Sequence, residues 1–210
     1  MADGMLELLR SGPPGGDGAL VLAHGAGAGM RSPFMEAFAE GLGGRGIPVY
    51  RFEFPYMREM TASGRRRPPN PEPILRQCWA EAIGRLTGRS LVIGGKSLGG
   101  RIASLIADES AVAGAVCLGY PFHPPGRPER TRTAHLAGLR TPTLICQGTR
   151  DPLGSFAEVG GYRLSPAITV QWLEDGNHSL EPRRSSGRTI VGNWNDAMDR
   201  ITAFTRAAWR

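Results

Sequence analysis

Short apolar runs alternate along the chain with stretches whose apolar positions recur every three or four residues. The first kind predicts buried strands and the second predicts helices packed on one face. Strands are expected over residues 19–23, 47–54, 91–93, 112–120, 143–147 and 168–173. Helices are expected from Ser32-Pro33 to about residue 42, over 72–86, from 98 to 107, over a short stretch at 155–163, and from 189 or 190 to 209. In the first of these Phe34, Phe38 and Leu42 fall on the inward side. In the third, Leu98, Ile102, Leu105 and Ile106 share a face. Regular alternation of the two kinds implies a mostly parallel sheet of six to seven strands with helices on both faces. At 210 residues with no internal repeat or linker, a single domain over 1–210 is expected.

Two loops complete the pattern. Residues 12–18 are a loop by their glycine and proline content. Residues 58–73 are rich in proline and arginine and predict a mobile loop over the site. Segment 121–141 lies where a lid is often inserted, but its 21 residues with four prolines are too few for a large one.

Composition narrows the class. The chain is 40 % hydrophobic and 21 % charged, a globular balance. No apolar run reaches the roughly 18 residues of a membrane span, so no membrane partner is expected. Residues 1–10 lack a basic start and a long apolar region, and so do not read as a secretory signal. Cys78, Cys117 and Cys146 are odd in number, and two of them lie in apolar strands. They read as buried free thiols in a reducing compartment, which places the protein in the cytoplasm. Net charge is +6, carried by 24 arginines and a single lysine, Lys96. The densest run, Arg65-Arg66-Arg67, has no interleaved aromatic residues, so no specific nucleic-acid binding is expected.

The chemistry gathers around Gly95-Lys96-Ser97-Leu98-Gly99. A G-x-S-x-G between a buried strand and an amphipathic helix is a nucleophile elbow, whose tight turn leaves the serine hydroxyl free above the sheet. The rival reading, a phosphate-binding G-x-x-x-x-G-K-[ST] loop, needs glycine where Ser90 stands, and its loop positions are the strand residues Leu91, Val92 and Ile93. Upstream, the strand at 19–23 ends in His24-Gly-Ala-Gly-Ala-Gly29. This resembles the loop that supplies one oxyanion-hole N–H. The dinucleotide fingerprint G-x-G-x-x-G fails there because Met30 takes the last glycine position.

Serine needs a base, and the base needs a carboxylate to orient it. In the elbow arrangement the acid and then the histidine follow the serine along the chain. His178, in the loop after the last strand, fits the base. Asp151, directly after the strand at 143–147, fits the acid, with Asp175 as the competing carboxylate. The oxyanion donors are expected at the amides of Leu98 and Ala26. His24, Gly25, Tyr56, Phe122 and His123 are expected to contact substrate, although His24 also reads as a structural hydrogen-bonding residue. His135 is expected at the surface on a short helix. Arg58, Arg65, Arg66, Arg67, Arg127, Arg130 and Arg132 lie in loops leaving the carboxyl edge of the sheet, where a positive rim would favour anionic substrates.

Residues 20–30, 94–101, 119–126, 147–154 and the run His178-Ser-Leu-Glu-Pro together resemble one family. It is the KANSL/testis-expressed-type branch of small α/β-hydrolases, similar to dienelactone hydrolases. The resemblance implies Ser97, Asp151 and His178 as the triad. Dienelactone hydrolases commonly carry cysteine at the nucleophile position, where this chain has Ser97, so their substrate does not carry over. The expected activity is a carboxylesterase- or thioesterase-like serine hydrolase acting on a small-molecule acyl substrate, with neither metal nor organic cofactor. A second reading is a non-catalytic interaction module of the same fold.

Overall fold

A computed structural model describes residues 6–14 and 16–210. The first five residues of the N-terminal stretch, and Gly15 of the loop at 12–18, lie outside the described residues. The sheet contains β1 (Leu9–Ser11), β2 (Gly18–Ala23), β3 (Val49–Phe52), β4 (Ser90–Lys96), β5 (Gly114–Leu118), β6 (Thr143–Gly148) and β7 (Ile168–Leu173). Their order is β1-β3-β2-β4-β5-β6-β7, with every pair parallel except β1 against β3. The helices are α1 (Pro33–Gly44), α2 (Pro55–Ser63), α3 (Glu72–Gly84), α4 (Leu98–Ile106), α5 (Phe156–Val159) and α6 (Ile190–Ala208).

Strand alternation divides the core in two. On β2, Ala19, Val21 and Ala23 face a layer closed by α3 and α4, with Phe52, Trp79, Ile93 and Ile102. Leu20 and Leu22 face the opposite layer, closed by α1 and α6, with Phe38, Leu42, Ala197 and Ile201. Both faces of the central strands are covered, so β2, β5 and β6 are buried at every position. Strand β7 is one edge, β1 the other. The Ile-Thr-Val-Gln-Trp-Leu pattern of β7 alternates, and only Leu173 is fully buried.

Several boundaries differ from the sequence expectation. Part of the stretch read as a mobile loop, residues 58–63, belongs to helix α2. Pro55 sits in its first turn, Tyr56 and Met57 are buried, and Gly64 closes it at φ 66°. The prolines that suggested a loop come after this helix. The helix expected at 155–163 is only the four-residue α5, capped by Ser155 and Glu158 and followed by Gly160-Gly161. Strand β1 is three residues long and too polar to show a period. Segment 121–141 does not form a separate lid. Phe122, Leu136 and Leu139 pack beneath the sheet end with Cys117 and Ile145. His135 is half-buried in a turn, its Nε2 2.9 Å from Ser104 Oγ, not a surface helix residue. All three cysteines are free and buried. Among the described residues, no helix is long and apolar enough to cross a membrane.

Candidate active site

Ser97 stands between β4 and α4 with φ 49° and ψ −109°. A non-glycine residue at such a φ costs about 1–3 kcal/mol and persists only where its surroundings force it. Here the forcing is visible. A Cβ on Gly95 would lie 2.1 Å from the Ala23 carbonyl oxygen, and one on Gly99 would lie 2.3 Å from the same atom. Both glycines of the elbow are therefore needed so that strand and helix can close on the end of β2. Gly99→Ala is expected to lower stability by about 1–3 kcal/mol or more through this backbone clash, read as a drop in thermal midpoint. An unchanged midpoint would show that the turn has slack.

Two other loops bring their side chains to Ser97. His178 Nε2 is 2.9 Å from Ser97 Oγ, and His178 Nδ1 is 2.8 Å from Asp151 Oδ2. An ionised carboxylate only accepts, so Nδ1 carries the proton and Nε2 presents a lone pair to the serine hydroxyl. Asp151 is fully buried. Its Oδ1 accepts the Leu153 N–H at 2.9 Å, and its Oδ2 also accepts Gln147 Nε2 at 2.9 Å. Gln147, itself fully buried, reaches the Tyr120 and Gly154 carbonyls as well and takes the Tyr120 N–H at 2.7 Å. The carboxylate is thus held by a buried hydrogen-bond network anchored on the backbone.

The His178 loop is pinned in turn by α6. Asn193 Nδ2 donates to the Glu174 and Leu180 carbonyls, each at 3.0 Å, and Trp194 Nε1 donates to the Ser179 carbonyl at 3.0 Å. Asn177 Oδ1 takes the N–H groups of Ser179 and Glu181. Asp175, the competing carboxylate, is committed elsewhere. It pairs with Arg150 at 2.8 Å and with Arg183 at 2.5 Å, and the Arg183 hydrogen bond leads the effects that hold its pKa at about 2.

The loop after β2 is shaped by residues beneath it. His24 is fully buried, and burial pushes its pKa down to about 4. Its Nδ1 donates to the Gly25 carbonyl at 2.7 Å, and its Nε2 accepts the Phe54 N–H at 3.0 Å. The Tyr56 hydroxyl donates to that same Gly25 carbonyl at 3.1 Å. A trans peptide sets its N–H opposite its carbonyl, so the Ala26 N–H is turned away from His24 and Tyr56.

That cavity, of about 480 Å³, lies directly over Ser97 and His178. Gly25 and Ala26 line it on one side, and Pro33, Phe34 and Met35 at the start of α1 line it on another, with Leu153 and Lys96 completing the wall. Of the five residues expected to touch substrate, only Gly25 lines it. His24 and Tyr56 lie under the loop, and Phe122 is core. His123 is 2 % exposed, with Nδ1 on the Pro124 carbonyl and Nε2 3.5 Å from Glu158. None of the seven arginines expected at a rim lines the cavity. Arg58, Arg67, Arg130 and Arg132 border other depressions. Among the described residues, no three His, Cys, Asp or Glu side chains gather as a metal-binding group.

Residues 16–206 match the family described as alpha/beta hydrolase domain. The chain belongs to the α/β-hydrolase family. Solved structures share the fold at low sequence identity. A dienelactone hydrolase from Anabaena variabilis superposes with a TM-score of 0.76 at 20 % identity, covering 100 % of this chain and 94 % of that one. Est1E from Butyrivibrio proteoclasticus gives 0.72 at 13 % identity, over 99 % and 96 % of the two chains. A monoacylglycerol lipase from Paleococcus ferrophilus gives 0.67 at 15 % identity, over 97 % and 99 %. At such identities the likeness is one of fold. As in other α/β-hydrolases, the loops gathered at the carboxyl ends of the parallel strands carry the candidate site.

Proposed function

We propose that this α/β-hydrolase cleaves an ester, thioester or similar acyl bond through Ser97, His178 and Asp151. The observation that carries this is the single imidazole bridging Ser97 Oγ and the buried Asp151 carboxylate at the floor of an apolar cavity. As Ser97 Oγ attacks the acyl carbon, His178 Nε2 takes the hydroxyl proton. Asp151 holds the ring and stabilises the imidazolium. The carbonyl oxygen becomes an oxyanion, which accepts from the Ala26 N–H and from the Leu98 N–H, the latter a free amide at the start of α4. His178 then gives its proton to the leaving oxygen or sulfur, which departs and leaves an acyl-serine. Water enters, loses a proton to His178 and attacks the acyl carbon. The free acid leaves and Ser97 recovers its proton.

The reading covers residues 1–210 as one catalytic domain. It assigns the chain to the KANSL/testis-expressed-type branch on its motifs, and to the cytoplasm on its three free, buried cysteines. The steps use only side chains and amides of this chain, so they call for no metal or cofactor. An alkyl fluorophosphonate tests the reading. It should form a covalent adduct with the folded protein, mapped to Ser97 by peptide mass spectrometry, and short-chain p-nitrophenyl esters should be turned over. A folded protein that takes no label and turns over no ester would overturn the assignment.

A further inference from the structure

The only lysine in this arginine-rich chain stands directly before Ser97, at the end of β4. Lys96 is 9 % exposed and lines the cavity. Its stem passes the loop after β2, where a Cβ on Gly25 would lie 3.4 Å from Lys96 Cγ. Nζ donates to the His178 backbone carbonyl and lies 5.3 Å from the centre of the Phe34 ring, itself part of the cavity wall. An ammonium has three N–H donors. The carbonyl takes one, and the ring face offers only a cation–π contact.

Among the described residues, no carboxylate forms an ion pair with Lys96. The carboxylates that influence it are Asp151 and Glu181. Asp151 already accepts from His178, Gln147 and the Leu153 N–H. Burial lowers the ammonium pKa to about 8, the direction expected of a cation short of counter-charge. A desolvated charge of this kind is costly unless something pairs with it. With no arginine in the cavity wall, Lys96 is its one ammonium-bearing side chain. A compact ammonium on an apolar stem also fits this narrow wall, where a planar guanidinium with five donors would need more partners.

We propose that Lys96 Nζ is the anion subsite of this cavity, and that the substrate is an ester or thioester whose acyl chain ends in a second carboxylate. The proposal rests on the hydrolase reading above. The scissile carbonyl lies at Ser97, the methylenes lie along Phe34 and Met35, and the far carboxylate pairs with Nζ. Ser97 Oγ and Lys96 Nζ both bond to His178, one through the ring and the other through the backbone carbonyl. The span between them therefore suits a short dicarboxylic chain and not a long fatty one.

The experiment compares p-nitrophenyl hemiglutarate with p-nitrophenyl 5-methylhexanoate, its neutral isostere, after subtraction of spontaneous hydrolysis. The wild type should favour the anionic ester by about 10- to 100-fold in kcat/KM, mainly through KM, the range expected for a hydrogen bond to a charged group. Lys96→Met and Lys96→Gln should lose that preference, the anionic-to-neutral ratio of kcat/KM falling toward one whatever happens to the absolute rates. If both esters lose kcat together and their ratio is unchanged, Lys96 only braces His178 and the proposal fails. Equal use of the two esters by the wild type overturns it without any variant. Calorimetry with glutarate on Ser97→Ala gives a readout free of turnover. Glutarate should bind, at least about tenfold more weakly once Lys96→Met is added, and absence of binding overturns the subsite. Lys96-dependent glutarate binding without hydrolysis of either ester would overturn the hydrolase reading and leave the subsite standing.

Discussion

Replacement of Ser97 by alanine should abolish fluorophosphonate labelling and lower ester turnover by about six orders of magnitude, the scale seen when the nucleophile of a serine–histidine–aspartate set is removed. The reason is geometric. His178 Nε2 has one reacting partner within hydrogen-bond distance, Ser97 Oγ at 2.9 Å. Without that oxygen no acyl-enzyme forms, and only the oxyanion donors and the cavity remain to assist attack by water. The fold should survive, because removing the hydroxyl deletes one half-exposed polar atom and leaves both elbow glycines against Ala23. Alanine at φ 49° keeps the same backbone cost that serine has. The checks are peptide mapping of the label, kcat/KM on a p-nitrophenyl ester and the thermal midpoint. Undiminished labelling of a folded Ser97→Ala would place the nucleophile elsewhere.

Asp151→Asn should cost about four orders of magnitude in turnover with little change in fold. An asparagine amide turned toward His178 can donate where the carboxylate accepted. It would then favour the tautomer that puts the proton on Nε2, facing Ser97, where a lone pair is needed. Gln147 Nε2 and the Leu153 N–H also lose part of their shared acceptor. Asp175→Asn should leave the kcat pH profile in place and act on stability instead, since Asp175 binds Arg150 and Arg183 and not His178. Its folded pKa, about 2, lies below the ordinary carboxylate value of about 4. Its contribution is therefore complete above pH of about 4 and is lost as pH falls toward 2. The variant should lack that acid-dependent part of the wild-type stability profile. Parallel kcat/KM measurements and pH-dependent unfolding test the pair, and a larger activity loss in Asp175→Asn would reverse the assignment of the acid.

The residues that the structure brings together as the sequence expected and those it does not separate by the kind of information they need. Strands β2, β4, β5 and β6 are legible because they are buried on both faces and so carry nearly continuous apolar runs. The elbow is legible because two glycines at fixed spacing answer a single local clash with Ala23. Helix α2 was hidden because its buried residues, Tyr56 and Met57, fall in the first turn, while the prolines that follow dominate the composition. Tyr56, His24, Phe122 and His123 lie near strand ends, as site residues do, yet their rings turn into the body of the protein. Position along a strand does not say which face a loop side chain takes.

By itself, the order of residues determined the class of fold and pointed to Ser97, to His178 and, with Asp175 competing, to Asp151. Hydrophobic period, elbow spacing and the rule that acid and then histidine follow the nucleophile are all properties of a one-dimensional string. Tertiary structure alone decided which groups surround those three. Gln147 behind Asp151, Asn193 and Trp194 behind the His178 loop, Tyr56 under Gly25, and Phe34 and Lys96 in the cavity wall are brought together across distant parts of the chain. A buried polar atom must find a partner wherever the packing of the sheet puts one within about 3 Å, and no spacing along the chain encodes that choice.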